Sequence, residues 1–355
     1  MEKTANNKAL IAMSGGVDSS VAAYLMQRQG WDCGGVTLKL FGGGSSCCSL
    51  EDIEDARSVA CALEMPFYVF NFQDEFEERV IWKFVRAYET GLTPNPCIDC
   101  NRYLKFGKLM ERARELGYDR VATGHYARIE EQNGRRLLLR AADNHKDQTY
   151  VLYSMTQEQL AHTVFPLGEL NKSQVRGIAE ELGFINAKKR DSQDICFVRD
   201  SDFGAFIEEY SRKTYPPGDF VGKNGALLGK HRGIVRYTVG QRKGLGLALP
   251  KPMYVCEKRA DTNTVVLGES DDLMCGALDA EDINLIAADS LPCQTRVTAK
   301  IRYGAKEAAA TVEQTGKDSL HVVFDEPQRA AAPGQAVVLY DGEYVIGGGT
   351  IIRGY

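Results

Sequence analysis

The chain has no apolar stretch near the ~18 residues that a membrane-spanning helix needs. Its opening residues, MEKTANNKALIAM, contain neither an extended apolar core nor a small-residue cleavage pattern. These absences predict a cytoplasmic protein with no membrane partner. An excess of positive charge is missing too: 43 Lys and Arg stand against 48 Asp and Glu, a formal net charge of -5. The chain as a whole is therefore no polycation, and any nucleic acid has to meet a local basic face. Internal repeats and low-complexity tracts are lacking, and 44% hydrophobic with 26% charged residues is the composition of a folded globular protein.

What is present is length and cysteine. The 355 residues are enough for two or three domains at ~100 to 200 residues each. Ten cysteines in such a chain do not make a disulfide scaffold, and a reducing compartment keeps most of them as thiols. Their clustering is informative. Cys47 and Cys48 are adjacent, Cys97 and Cys100 form a C-x-x-C, and Cys196 stands alone in a polar stretch, while Cys61, Cys256 and Cys275 read as scattered core thiols.

The N-terminal part alternates strands with helices. KALIAM is a short apolar run followed by SGGVDSS and then by VAAYLMQRQG, which has helical apolar spacing and stops at Gly30. A second strand (GGVTLKLF), a helix (EDIEDARSVACALEM), a strand (FYVFNF), a helix near 74–90, a loop (GLTPNPCIDCN), a helix (YLKFGKLMERARELG) and a strand (RVATGH) follow. Such alternation predicts an α/β fold with a doubly wound parallel sheet covered on both faces. Beyond residue 200 the texture turns to glycine, proline and short β segments: VRYTVG, PMYVCEKR, TNTVVLG, TRVTAKIRY, SLHVVFD and QAVVLYDGEYVIGGG. Asp341-Gly342 inside the last of these is a hairpin signal. The predicted organisation is an α/β domain at 1–200, a small mixed linker domain at 201–280, and a C-terminal β-barrel at 281–355.

Ser14-Gly15-Gly16-Val17-Asp18-Ser19-Ser20 sits at the carboxyl end of the first strand and the start of the first helix, where open α/β sheets bind ligands. Glycines let the backbone present N–H groups to an anion, and the helix N-terminus adds positive potential. Asp18 is placed for Mg²⁺ or for a polar contact within the loop. The lysine of G-x-x-x-x-G-K-[ST] is absent, so this is not a γ-phosphate loop. Residue by residue the segment resembles the SGG-x-DS signature of the PP-loop ATP pyrophosphatases. That resemblance implies cleavage of ATP between the α and β phosphates and AMP transfer to a substrate, with an adenine nucleotide α-hydrolase-like fold.

The cysteine segments narrow the substrate. Thr93-Pro94-Asn95-Pro96-Cys97-Ile98-Asp99-Cys100-Asn101 and Asp191-Ser192-Gln193-Asp194-Ile195-Cys196-Phe197 resemble those of the tRNA-specific 2-thiouridylases. So do Ala122-Thr123-Gly124-His125-Tyr126, Lys146-Asp147-Gln148-Thr149-Tyr150, Gly240 to Gly246, and Pro333-Gly334-Gln335. The resemblance runs from residue 8 to near the C-terminus. It implies ATP and Mg²⁺ as cofactors, a wobble uridine of tRNA as target, and a persulfide sulfur donor, either a cysteine desulfurase or a sulfur-relay protein.

By the same resemblance Cys196 carries the persulfide and Cys100 is the nucleophile that releases its sulfur, leaving a Cys100–Cys196 disulfide. Ala12, Met13, Ser14, Gly15, Gly16, Val17, Asp18, Ser19, Leu38 and Gly124 surround the nucleotide. Asn95, Pro96 and Cys97 line the target-base pocket. His125, Lys146, Asp147, Gln148, Arg302, Tyr303 and Gln335 contact tRNA. Lys188-Lys189-Arg190, Lys230-His231-Arg232 and Arg242-Lys243 are further candidates for phosphate contacts.

One position departs from the family. Relatives commonly carry aspartate where this chain has Cys97, which puts the acid–base role of that position in doubt; Asp99 is a candidate substitute. Cys97 also opens a second chemistry, because Cys47, Cys48, Cys97, Cys100 and Cys196 together could ligate zinc or an iron–sulfur cluster. Competing readings are another PP-loop enzyme, such as a 4-thiouridine or 2-thiocytidine synthase or an amide-forming ligase, and a non-catalytic nucleotide- or RNA-binding protein. A ligase has no need of two cysteines in such contexts or of an RNA-binding barrel, and a binding protein does not turn over ATP.

Overall fold

The computed structural model describes residues 7–42, 49–189, 191, 195–198 and 202–355. They form two compact units: one comprises the chain up to Val80, Cys97–Phe197 and Glu343–Val345, the other Ile81–Pro96, Val198–Gly342 and Ile346–Tyr355.

In the first unit a five-stranded sheet runs β3-β2-β1-β4-β7, with every pairing parallel. The strands are β1 (Lys8–Ala12), β2 (Asp32–Lys39), β3 (Phe67–Asn71), β4 (Arg120–Thr123) and β7 (Thr163–Val164). Ala9, Leu10 and Ile11 are fully buried and β2 is buried over six consecutive residues, as expected of strands covered on both faces. Two glycines in β2 allow that covering. A Cβ at Gly34 would lie 2.1 Å from the Tyr118 hydroxyl, and one at Gly35 would lie 2.7 Å from the Met13 sulfur. Helix α1 (Val17–Arg28) packs its buried Val21, Ala22 and Met26 into the core with Ile11, Ala56 and Ala122. Helix α2 (Leu50–Ala62) starts at a reciprocal capping box between Ser49 and Asp52. Because β2 and β4 lie on opposite sides of β1, the chain reverses its winding there, and the carboxyl ends of β1 and β4 form the switch point where such sheets bind ligands.

The next two helices are long and locally widened. Helix α3 runs from Gln73–Phe76 through a π turn, Glu77–Ile81, into Trp82–Glu89. Helix α4 runs from Pro96–Asp99 through a π-helical stretch, Cys100–Lys108, into Leu109–Glu115. The predicted loop GLTPNPCIDCN is thus only partly a loop, since Cys97, Asp99 and Cys100 sit in the first turns of α4. Pro96 explains the difference: its fixed φ and missing N–H suit the first helical position. A hairpin of β5 (Arg128–Gln132) and β6 (Arg135–Leu139) also escaped the reading, although its Asn133-Gly134 turn, with φ of 52° and 77°, is a strong hairpin signal. Helices α5 (Gln157–Ala161) and α6 (Lys172–Glu181), both entered through capping boxes, complete this unit.

In the second unit helix α7 (Phe203–Ser211) meets the C-terminal half of α3 through an aromatic cluster: Trp82 against Tyr210, Phe84 against Phe206, and Tyr88 stacked on Phe203. Residues 81–96, which precede the predicted boundary at 200, group with this second unit. A four-stranded sheet of order β10-β11-β8-β9 follows, from β8 (Gly218–Gly222), β9 (Leu227–His231), β10 (Tyr254–Arg259) and β11 (Thr264–Gly268). VRYTVG, read as a strand, begins in a short 3₁₀ turn (Ile234–Arg236) and continues as irregular chain.

The C-terminal barrel has six strands: β12 (Met274–Leu285), β13 (Thr295–Lys300), β14 (Ala308–Gly316), β15 (Ser319–Arg329), β16 (Ala336–Asp341) and β17 (Tyr344–Gly354). Their order is β12-β15-β14-β13-β16-β17, and β12 pairs with β17 to close the ring. Its core holds Leu278, Val297, Val312, Val322, Val337 and Ile351. Strands β12 and β14 were not anticipated. Their Ala- and Asp-rich sequences have little strand preference, and pairing with two neighbours each overrides it.

Candidate active site

The phosphate loop is built as its sequence requires. Gly15 has φ +73°, and a Cβ there would lie 2.3 Å from the Asp52 carbonyl oxygen. Gly16 occupies the N-cap of α1 with no side-chain cap, which leaves the first-turn amides of a twelve-residue helix for an anion. The serines stiffen the loop: Ser19 Oγ accepts from Ser14 N–H at 3.2 Å and donates to the Gly16 carbonyl at 3.0 Å, as does Ser20 Oγ. Ala12 ends β1, Met13 and Val17 are buried, and Leu38 lies buried near the end of β2. Gly124 follows β4 and backs onto the loop, where a Cβ would lie 2.7 Å from Ser19 N and 2.8 Å from the Asp18 carbonyl carbon. These are backbone atoms and cannot swing aside. Gly124→Ala should therefore shift the first turn of α1 and weaken ATP binding at least about tenfold, on the scale of ~1.4 kcal/mol or more of strain. Calorimetric titration with ATP checks this, with Gly177→Ala as control, since Gly177 faces open space.

A charge network absent from the sequence reading surrounds Asp18. Lys172, the first residue of α6, places Nζ 2.7 Å from both Asp18 carboxylate oxygens and 2.9 Å from Asp191 Oδ1. The Tyr126 hydroxyl donates to Asp18 Oδ1 at 2.8 Å; burial and the Asp18 charge push this phenol up, so it remains a donor. Asp191 also accepts from Lys146 at 2.7 Å and from Arg176 at 2.9 Å. Burial pushes the Asp191 carboxyl up, but the hydrogen bonds from Lys146 and Lys172 outweigh it and hold the carboxyl at about 2. Its folded value lies below its unfolded one, so its stabilisation is present above pH ~4 and lost as pH falls towards 2. Denaturant unfolding should show Asp191→Asn less stable than wild type by about 1–2 kcal/mol near neutral pH, after allowing for partial exposure, with the gap closing below pH ~3.

Asn186 and Lys189 are stapled to the phosphate loop and to α2. Asn186 Nδ2 donates to the Gly15 carbonyl at 3.0 Å and to Ser20 Oγ at 2.9 Å. Lys189 Nζ reaches Asp52 at 2.7 Å and Asp55 at 2.6 Å. Lys189, a candidate for RNA phosphate, is thus an internal staple. Neither Asn186 nor Lys172 lies in a recognisable motif, which is why sequence inspection passed over them.

Cys196 is half-buried, Cys100 is buried and Cys97 is exposed. Although solvent reaches Cys97, the protein around it pushes its thiol up to about 11; Cys196 lies near enough to add to this, and Lys105 pulls the other way. Cys196 thus lies within electrostatic range of Cys97, 99 positions away in sequence. Asp99 is buried, and two residues along a helix turn a side chain by about 200°. A carboxylate at 99 thus leaves the helix on a different side from a side chain at 97. Among the described residues no group of three or more His, Cys, Asp or Glu side chains is arranged to hold a metal; Cys47 and Cys48 lie outside the described residues. Of the three expected core thiols only Cys275 is buried, with Cys256 half-buried and Cys61 exposed.

His125 is buried, with Nδ1 2.7 Å from Thr123 Oγ1 and Nε2 3.5 Å from Lys105 Nζ. Burial, reinforced by the Lys105 charge, keeps the imidazole well below its ordinary value and so neutral. An ammonium donating to Nε2 assigns the ring proton to Nδ1, directed at Thr123. The other predicted RNA contacts of this unit are also engaged internally. Asp147 accepts from Ala141 N–H at 3.1 Å and Thr149 Oγ1 at 2.6 Å, and Gln148 Oε1 accepts from Tyr126 N–H at 2.9 Å. In the second unit Arg302 and Tyr303 are exposed, with Lys300 over the Tyr303 ring at 5.6 Å. Gln335 is half-buried, His231 is buried against the Asn263 carbonyl, and Lys230 pairs with Asp219.

An uncapped helix N-terminus at the switch point of a parallel sheet and a glycine-backed SGG-x-DS loop define the class as a PP-loop nucleotide-binding protein. Three family profiles match in succession: "tRNA methyl transferase HUP domain" over residues 7–200, "tRNA methyl transferase PRC-barrel domain" over 204–269, and "Aminomethyltransferase beta-barrel domain" over 276–351. The tRNA-specific 2-thiouridylase MnmA of Clostridioides difficile is 51% identical over 98% of both chains. That of Acetivibrio thermocellus is 52% identical over 97% of this chain and 99% of its own. The chain belongs to the tRNA-specific 2-thiouridylase family.

Proposed function

We propose that this enzyme is a tRNA-uridine 2-sulfurtransferase that thiolates the wobble uridine in two steps. In the first, ATP lays its α-phosphate on the N-terminus of α1, the uridine O2 attacks it, and pyrophosphate leaves. In the second, the Cys100 thiolate attacks the Cys196 persulfide, forming a Cys100–Cys196 disulfide and releasing hydrosulfide. The sulfur adds to C2 of the adenylated uridine and AMP departs with the original oxygen. An external dithiol then reduces the disulfide, and a cysteine desulfurase or relay protein reloads Cys196. Arg302, Tyr303 and Gln335 are the described candidates for holding the anticodon arm, and an unpaired wobble base can be splayed towards Asn95, Pro96 and Cys97 at modest cost.

The observation that carries this reading is the staple. Asn186, Lys189 and Asp191, shortly before Cys196 in sequence, bind the phosphate loop, α2 and the Asp18–Lys172 pair. Cys196 lies within electrostatic range of Cys97, which supports placing activation and sulfur delivery together. Mg²⁺ enters with the ATP phosphates. Asp18 has both carboxylate oxygens on Lys172, so it does not offer a free metal ligand. The described side chains do not form a cluster site either, and the relay needs none.

The test is nucleoside mass spectrometry of unmodified tRNA after anaerobic incubation with the protein, ATP, Mg²⁺ and a persulfide-generating desulfurase. 2-Thiouridine at the wobble position is the expected product, with AMP and pyrophosphate formed only when tRNA is present. ATP turnover without thiolated uridine would move the acceptor elsewhere in the PP-loop superfamily.

A further inference from the structure

Strand β10 contains a bulge between Val255 and Glu257, where its pairing with β11 shifts register. The shift moves the inward-facing position by one residue, so Lys258 rather than Glu257 shares the buried face of Val255. Lys258 is 8% exposed, and among the described residues no carboxylate pairs with it. Its Nζ donates to the Leu92 carbonyl at 3.0 Å and lies 4.7 Å from the centre of the Tyr88 ring. Burial alone pushes the ammonium down to about 7. A methionine would fill this space without placing a charge out of water, so the lysine is explained by what it holds.

What it holds is the exit from α3. Gly91, at φ +82°, ends that helix with the bonds Gly91 N–H to Tyr88 and Leu92 N–H to Ala87, a Schellman arrangement. The Leu92 carbonyl lies beyond these bonds and is met by Lys258. The next residue is pinned from a second side: Thr93 N–H donates to the Pro333 carbonyl at 2.8 Å. Gly334, at φ +92°, packs so closely that a Cβ would lie 2.9 Å from Thr93 N. Leu92 and Thr93 are thus clamped between β10 and the Pro333-Gly334-Gln335 turn, and Asn95 and Pro96 follow directly.

We propose that Lys258 is a positioning residue for the target-base pocket: by fixing Leu92 and Thr93 it sets where Asn95 and Pro96 meet the uridine. The proposal rests on reading 95–97 as that pocket. The Gly334 contact makes the turn that carries Gln335, a candidate RNA contact, the other jaw of the same clamp.

The test uses the full chain with unmodified tRNA and measures kcat and KM for 2-thiouridine formation, ATP affinity and the thermal midpoint. Lys258→Met should lower kcat/KM for tRNA by about 10- to 100-fold, as a misplacement of order 1 Å does, and leave ATP affinity unchanged. Lys258→Arg, which still donates to the Leu92 carbonyl, should recover most of the loss. Gly334→Ala, acting from the other jaw, should reproduce the Lys258→Met pattern even if that variant folds poorly. The proposal is overturned if Lys258→Met keeps the wild-type kcat/KM. It is equally overturned if ATP affinity falls in step with activity and arginine restores neither, which marks a purely structural lysine. Wild type failing to thiolate in the same assay would instead remove the pocket reading, and the proposal with it.

Discussion

Cys100→Ala and Cys196→Ala should each abolish 2-thiouridine, to below about a thousandth of the wild-type rate, while tRNA-dependent release of AMP or of pyrophosphate persists. The split follows from the division of labour. The phosphate loop, Gly124 and the Asp18–Lys172 pair owe nothing to either thiol, so adenylation survives their removal. Sulfur release needs both, because a persulfide gives up its outer sulfur as hydrosulfide only when a second thiolate attacks the inner one. Nucleoside mass spectrometry and a pyrophosphate assay on the same samples separate the two steps. If Cys196→Ala still thiolates with inorganic sulfide as donor and Cys100→Ala does not, Cys100 has a further part in the attack on C2. If both retain thiolation with the desulfurase, the relay is wrong.

Lys172→Met should act on the other half of the reaction, lowering tRNA-dependent AMP formation and thiolation together by about 10²- to 10³-fold. Lys172 is 13% exposed and stands between two carboxylates, with Nζ within 3 Å of each. Among the described side chains its removal leaves Asp18 the Tyr126 hydroxyl as donor, so the negative potential there rises where ATP must bring its own negative charge. Asp191 keeps Lys146 and Arg176, so the staple should largely survive and the loss should appear in chemistry and ATP binding rather than in folding. Rapid-quench measurement of AMP with saturating tRNA reads the chemical step, and the thermal midpoint reads the fold. A wild-type rate of AMP formation in Lys172→Met would make the lysine a purely structural counter-ion.

Much of the first unit was legible in the sequence, because strand-turn-helix punctuation, glycine placement and apolar runs are local signals. The phosphate loop and the parallel sheet implied by alternation belong to that class. What escaped was non-local or disguised. Lys172 and Asn186 acquire their roles only when the chain from 170 to 191 folds back on α1. Lys189 looked like RNA-binding charge because its partners Asp52 and Asp55 are far away in sequence. Asp99, read as part of a loop, lies in a helix because Pro96 starts one. Strands β12 and β14 owe their conformation to neighbours on both sides, and a single bulge decided that Lys258, rather than Glu257, faces inward.

The assignment of Ile81–Pro96 to the second unit has a consequence for how the protein is made. Trp82, Phe84 and Tyr88 find their aromatic partners at Phe203, Phe206 and Tyr210, which at ~5–20 residues per second leave the ribosome on the order of ten seconds later. Throughout that interval a helix with an aromatic face waits without its packing surface, and the catalytic half of the nascent chain passes through a stage at which chaperone occupancy is most favoured.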